Sequence, residues 1–202
     1  MLKAEEAQQI VLRLCNQGKE TNGENEFVIQ SCTLSPRRDY WVIRSNSADY
    51  VIRGMEERCY VGVSANLVNA LTGEVETVSN AQGWQSYLED KYDLINAQGN
   101  FYILRPAFDK SDKSALINLR QKLECRAQDV ICMTSPNSNF WLTGNLRKLN
   151  DAKILLEKAN IQVNIELHTD SQDAIEVDES VWFFDEVKAL LRRRISEMQK
   201  II

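Results

Sequence analysis

Ala7, Ile10, Val11 and Leu14 recur at helical spacing while Glu5, Glu6 and Arg13 fall off that face, so residues 3–16 are predicted to form an amphipathic opening helix. Gly18 and the polar run Lys19–Asn25 are expected to end it. The pattern then shortens to that of strands. Phe27–Ile29, Tyr40–Ile43, Tyr50–Ile52, Cys59–Val63 and Leu67–Ala70 are read as neighbouring antiparallel strands, with turns at Ser35–Arg38 and Asn46–Ala48. Thr72-Gly73 before Glu74–Val78 marks a tight hairpin, because glycine supplies the positive φ that such a turn needs. Gln82–Tyr92 follows as a helix with Trp84, Tyr87, Leu88 and Tyr92 toward one side, and the polar stretch Asn96–Asn100 is the expected domain boundary.

Beyond residue 100 the rhythm becomes strand Phe101–Leu104, helix Ser111–Leu123, strand Val130–Thr134, strand Phe140–Thr143, helix Leu146–Ala159 and strand Val163–Leu167. Pro136-Asn137-Ser138 is read as a hairpin turn, Asn145 as an N-cap, and Leu149, Ala152, Leu156 and Ala159 as an apolar seam. That order predicts a βαββαβ ferredoxin-like sandwich. Val181, Phe184, Val187, Leu191, Ile195, Met198 and Ile202 keep a spacing of three or four, which adds a long C-terminal helix whose stripe must be covered. The fold class expected is therefore α+β in two domains, 1–97 (a helix, an antiparallel meander and a closing helix) and 98–202 (the ferredoxin-like unit with its extra helix).

Composition narrows the function classes. The 202 residues are 44% hydrophobic and 26% charged, which suits a folded chain rather than a disordered one. No apolar run nears the roughly 20 residues that cross a bilayer, and the acidic N-terminus is no secretory signal, so a cytoplasmic location without membrane contact is expected. Five irregularly spaced cysteines (Cys15, Cys32, Cys59, Cys125, Cys132) suit reduced thiols. The net charge of −5 is concentrated in residues 1–100, which carry 9 basic and 14 acidic side chains. Phosphate binding needs a positive field, so nucleic acid is not an expected ligand and a basic protein is a better one.

Catalytic chemistry has little to stand on. His168 is the only histidine, which excludes a histidine-rich metal centre and leaves any triad to be built on that one residue. No CxxC pair and no glycine-rich phosphate loop occurs, and no cofactor is expected. Glu56-Glu57, Asp178-Glu179 and Asp185-Glu186 read as solvated or helix-dipole carboxylates rather than an acid/base pair. Tyr102, Phe140 and Trp141 lack the basic glycine-aromatic signature of RNA-recognition domains, and Arg192-Arg193-Arg194 sits in the C-terminal half of a helix, where positive charge is locally favoured.

Residues 3–93 carry a resemblance. The opening helix, Asp39-Tyr40-Trp41-Val42-Ile43, the run Tyr60–Asn69 with its Val61-Gly62-Val63 step, the hairpin Leu71-Thr72-Gly73-Glu74-Val75 and the helix Trp84–Glu89 together resemble the YrhB-like immunity-protein domain of bacterial polymorphic toxin systems. The chain departs from that pattern in Ser64-Ala65-Asn66, where a proline is common after the glycine, and in its additional C-terminal half. The resemblance implies a non-enzymatic immunity protein that binds and neutralises a cognate secreted toxin; a chaperone or effector-loading adaptor is the alternative. If the toxin is basic, acidic side chains would meet it: Asp49, Glu56, Glu57, Glu74 and Glu76 in the first domain, and Asp170, Asp173, Glu176, Asp178 and Glu179 in the second. Exposed members of Tyr50, Tyr60, Trp84, Trp141 and Trp182 would be the aromatic anchors.

Overall fold

A computed structural model describes residues 1–17, 26–136 and 138–201. The amphipathic N-terminal segment forms α1 (Ala4–Asn16), whose Ala7 and Val11 are buried against Ile43 and Val68 of a sheet. Trp41 fixes this docking by donating its indole N–H to the Leu2 carbonyl at 3.0 Å. The sheet consists of β1 (Phe27–Leu34), β2 (Tyr40–Ser47), β3 (Val63–Asn69) and β4 (Val75–Ser79), each antiparallel to the next in chain order. At the β3–β4 turn Gly73 has φ +78°, and an added Cβ there would lie 3.3 Å from the Leu2 side chain. Glycine is thus required twice, by the turn and by the closeness of α1. The end of α1 expected at Gly18–Asn25 lies outside the described residues.

Two segments read as strands behave otherwise. Ala48–Arg53, including Tyr50–Ile52, is the short helix α2, because local caps override β-propensity. The Ser47 hydroxyl accepts the Tyr50 N–H at 3.1 Å, and Gly54, at φ +71°, closes the other end by donating to the Asp49 and Tyr50 carbonyls. Cys59–Gly62 is not strand but the exit from a 3-10 turn at Glu56–Arg58, and β3 begins only at Val63.

Helix α3 (Trp84–Ala97) precedes a second sheet. Its strands are β5 (Phe101–Pro106), β6 (Leu142–Thr143), β7 (Val163–His168) and β8 (Ile175–Glu176), in the order β7-β5-β6-β8. Both β6 and β7 run antiparallel to β5, and β8 is parallel to β6. The helices are α4 (Lys113–Leu123), α5 (Ala127–Met133), α6 (Leu146–Lys158) and α7 (Phe184–Ile201).

The βαββαβ ferredoxin-like order is not the one observed. Val130–Thr134, read as a strand, lies in α5 and its cap, so two helices join β5 to β6 and the expected hairpin at Pro136–Ser138 is a helix-to-strand connection. Asn137 itself lies outside the described residues. The cause is again local: the Asp129 carboxylate accepts from the Arg126 backbone N–H at 3.0 Å and from its guanidinium at 2.9 Å. At the other end the Thr134 hydroxyl donates back to the Val130 carbonyl at 3.0 Å.

The fold is therefore mixed α+β, with two largely antiparallel sheets. The chain divides into two compact units, Met1–Leu88 and Glu89–Ile202, and the division falls inside α3. The core of the second unit gathers Leu104, Leu119, Trp141, Leu149, Leu156 and Val163 with the stripe of α7, whose Val187, Leu191, Ile195 and Met198 are all buried. Among the described residues no helix is long and apolar enough to cross a membrane.

Candidate functional site

From the end of β7 into the first turn of α7, residues 170–186 carry seven carboxylates and no lysine, arginine or histidine. Backbone pairing seats this segment first. Ile175 N–H donates to the Trp141 carbonyl at 3.0 Å and Val177 N–H to the Thr143 carbonyl at 2.8 Å, which makes β8 the outer strand of the sheet. The fit is close at Gly144, where a Cβ would lie 3.1 Å from the Val177 carbonyl oxygen at a φ of +147°. Any side chain there would push the segment off the sheet edge.

Three polar anchors then hold what the strand leaves free. Arg194 on α7 is 1% exposed; its Nε donates to the Phe140 carbonyl at 3.0 Å and its Nη1 lies 3.7 Å from the Asp173 carboxylate. Lys148 on α6 donates its ammonium to the Asp178 carbonyl. At the start of α7 the Glu186 carboxylate accepts the backbone N–H groups of Trp182 at 2.6 Å and Phe183 at 3.1 Å. Those two bonds hold the Glu186 carboxyl below the usual carboxylate range, because they favour its charged form. The same bonds fix the backbone of Trp182 and Phe183, whose side chains are 73% and 70% exposed.

Asp170, Asp173, Glu176, Asp178 and Glu179 thus come together on one ordered, exposed segment. Asp173 is engaged by Arg194; among the described residues Asp170, Glu176, Asp178 and Glu179 have no ion-pair partner. Such a row raises a local negative potential with little internal compensation.

The five acidic residues of the first unit are not brought together in this way. Asp49 is 5% exposed and paired with Arg53 at 2.7 Å within α2. Glu76 accepts the phenol hydroxyls of Tyr40 at 3.1 Å and Tyr87 at 2.6 Å, which makes it an internal support. Glu56 and Glu57 are exposed on the 3-10 turn, and Glu74 is exposed at the hairpin beside the Thr72 hydroxyl. Of the aromatic candidates, Trp141 is fully buried with its indole N–H donated to the Met133 carbonyl at 2.9 Å, Tyr50 and Trp84 are half-buried, and Tyr60 and Trp182 are exposed. Phe183 was not singled out from sequence, although the spacing Val181, Phe184, Val187 places residues 182 and 183 off the buried stripe.

The other sequence candidates are absorbed by the fold. Arg192 pairs with Glu124 at 2.8 Å and donates to the Leu123 carbonyl at 2.9 Å, Arg193 pairs with Glu197 at 3.3 Å, and Arg194 is buried. The three arginines therefore point to three different internal partners rather than to one phosphate track. His168 ends β7 with its ring centroid 4.5 Å from that of Phe140 and its Nε2 3.6 Å from the Glu166 carboxylate. All five cysteines are free and half-buried, and the Cys125 thiol is pushed up by burial and by the nearby Asp129 charge. Among the described residues no group of three or more histidine, cysteine or acidic side chains is arranged to hold a metal ion. Set against models of known protein families, against curated proteins and against solved structures, the chain matches none of them.

Proposed function

We infer that the protein works as an immunity protein, neutralising a cognate secreted toxin by direct contact and breaking no bond itself. One observation carries the reading: the segment Asp170–Glu186 is acidic throughout, yet it is held in place by buried and backbone anchors rather than left as a solvated loop. A pre-ordered surface loses less conformational entropy on association than a loose one, and a field of one sign speeds encounter with a basic partner. Solubility alone would not require Arg194 to be buried beneath the segment. The immunity-type resemblance of residues 3–93 supports the same reading.

The test is co-expression with the product of the neighbouring reading frame. Growth restored together with stoichiometric co-purification supports the proposal; a chain that neither protects nor co-purifies overturns it. A second reading, an adaptor that shelters apolar client segments, rests on a different patch. In the first unit a cavity of about 300 Å³ is lined by Leu14, Phe27, Tyr60, Val61 and Val63, with Tyr60, Val61 and Val63 exposed. Binding of many unrelated unfolded chains at similar affinity, in place of one tight partner, would favour that reading. The stripe of α7 is buried in its own unit and offers no such surface.

A further inference from the structure

Next to the acidic segment lies a cavity of about 380 Å³ with two walls. Val177 and Val181 come from the segment, Ala189 and Leu190 from α7, and the link between the walls is Trp182-Phe183. Asp178, Glu179 and Glu186 also line it. The one cation among its lining residues, Arg193, is engaged by Glu197 at 3.3 Å. The volume lies in the range that buries a small ligand or a pair of large side chains. Glu186, one of the lining residues, accepts the Trp182 and Phe183 backbone N–H groups and so ties the link between the walls to the first turn of α7.

We propose that this groove docks a cationic segment of a protein partner, with an apolar side chain seated between the Val177–Val181 and Ala189–Leu190 walls. Lysine or arginine neighbours of that side chain meet Asp178 and Glu179, and one of them stacks on Trp182. The occupant follows from charge complementarity. An anionic membrane surface or nucleic acid is repelled by the carboxylate rim. A second copy of this chain would oppose acid to acid, and its own arginine cluster is occupied by Glu124, Glu197 and the Phe140 carbonyl. A basic segment gains Coulomb attraction at the rim and apolar burial in the groove, and the exposed indole of Trp182, next in the chain to the lining residue Val181, offers a cation–π contact. The inference rests on the reading of the protein as a binder of a basic partner and names the place and chemistry of the contact.

The experiment uses the full chain and two fluorescent lysine-rich peptides of equal charge, one with a central leucine pair and one with serines there, followed by anisotropy. The leucine peptide should bind more tightly by about tenfold, and Trp182→Ala and the pair Asp178→Asn/Glu179→Gln should each weaken it by about tenfold. Ala189→Gln, which narrows the groove without changing its charge, should do the same, whereas Glu56→Gln/Glu57→Gln, with the same loss of charge in the first unit, should leave binding unchanged. Equal binding of both peptides, full binding by Trp182→Ala, or equal loss with the first-unit pair would overturn the proposal. Trp182 and Ala189 are changed singly and the carboxylates in pairs, all at exposed positions, and an unchanged thermal midpoint confirms folding. Failure here with toxin neutralisation intact removes the groove and leaves the immunity reading. Peptide binding as expected without neutralisation does the reverse.

Discussion

Single carboxylates in this chain do opposite work according to where they sit. Asp129 is buried, and its carboxyl is held below the usual range first by the Arg126 guanidinium and then by the Arg126 backbone N–H and Gln199. Its folded-state pKa is therefore lower than its unfolded value of about 3.9, so its contribution to stability is complete above that value and is lost as pH falls through the folded one. Urea unfolding of the wild type should lose more stability between about pH 4.5 and pH 2.5 than Asp129→Asn does; identical slopes would remove Asp129 from that role. Glu76 gives a second residue-level expectation. Removing its carboxylate takes an acceptor from each of the Tyr40 and Tyr87 hydroxyls, so Glu76→Ala should cost about 1–3 kcal/mol in chemical denaturation while partner binding stays at the wild-type level. A loss of binding without loss of stability would return Glu76 to the interface that the sequence assigned to it.

The elements that sequence pattern made legible are those whose burial is periodic. Helices α1, α4, α6 and α7 and the β3–β4 hairpin follow directly from apolar spacing or from Thr72-Gly73. Two of the failures share one cause: Tyr50–Ile52 and Val130–Thr134 are short apolar runs that suit strand or helix, and capping groups decide. Ser47 with Gly54, and Arg126 with Asp129, are visible in the sequence, but the capping geometry that makes them decisive is not. The acidic segment was legible as charge, whereas its anchoring was not, because Arg194 reads as one of three surface arginines until the fold buries it. This gives an element-level prediction. In Arg194→Met the exposed Asp173 loses its cation at little cost, whereas the Phe140 carbonyl loses its buried donor, so the global loss should stay within about 1–3 kcal/mol. Amide exchange across residues 170–180 should accelerate, and unchanged exchange there would show that Arg194 does not hold the segment.

For the molecule as a whole, the two units contribute differently to the proposed recognition. The first unit spends Asp49 and Glu76 on its own structure, while the second presents a continuous acidic row beside Trp182 and Phe183. A variant that neutralises Asp170, Glu176, Asp178 and Glu179 but keeps Asp173, so that Arg194 retains its partner, separates charge from fold. The decisive measurement is the association rate of wild type and of this variant with the cognate toxin, followed from low to high salt. Wild type should associate at least tenfold faster at low salt than at about 0.5 M, and the variant should show a shallow dependence with a slower low-salt rate. Indistinguishable salt profiles for the two proteins would contradict recognition through this surface.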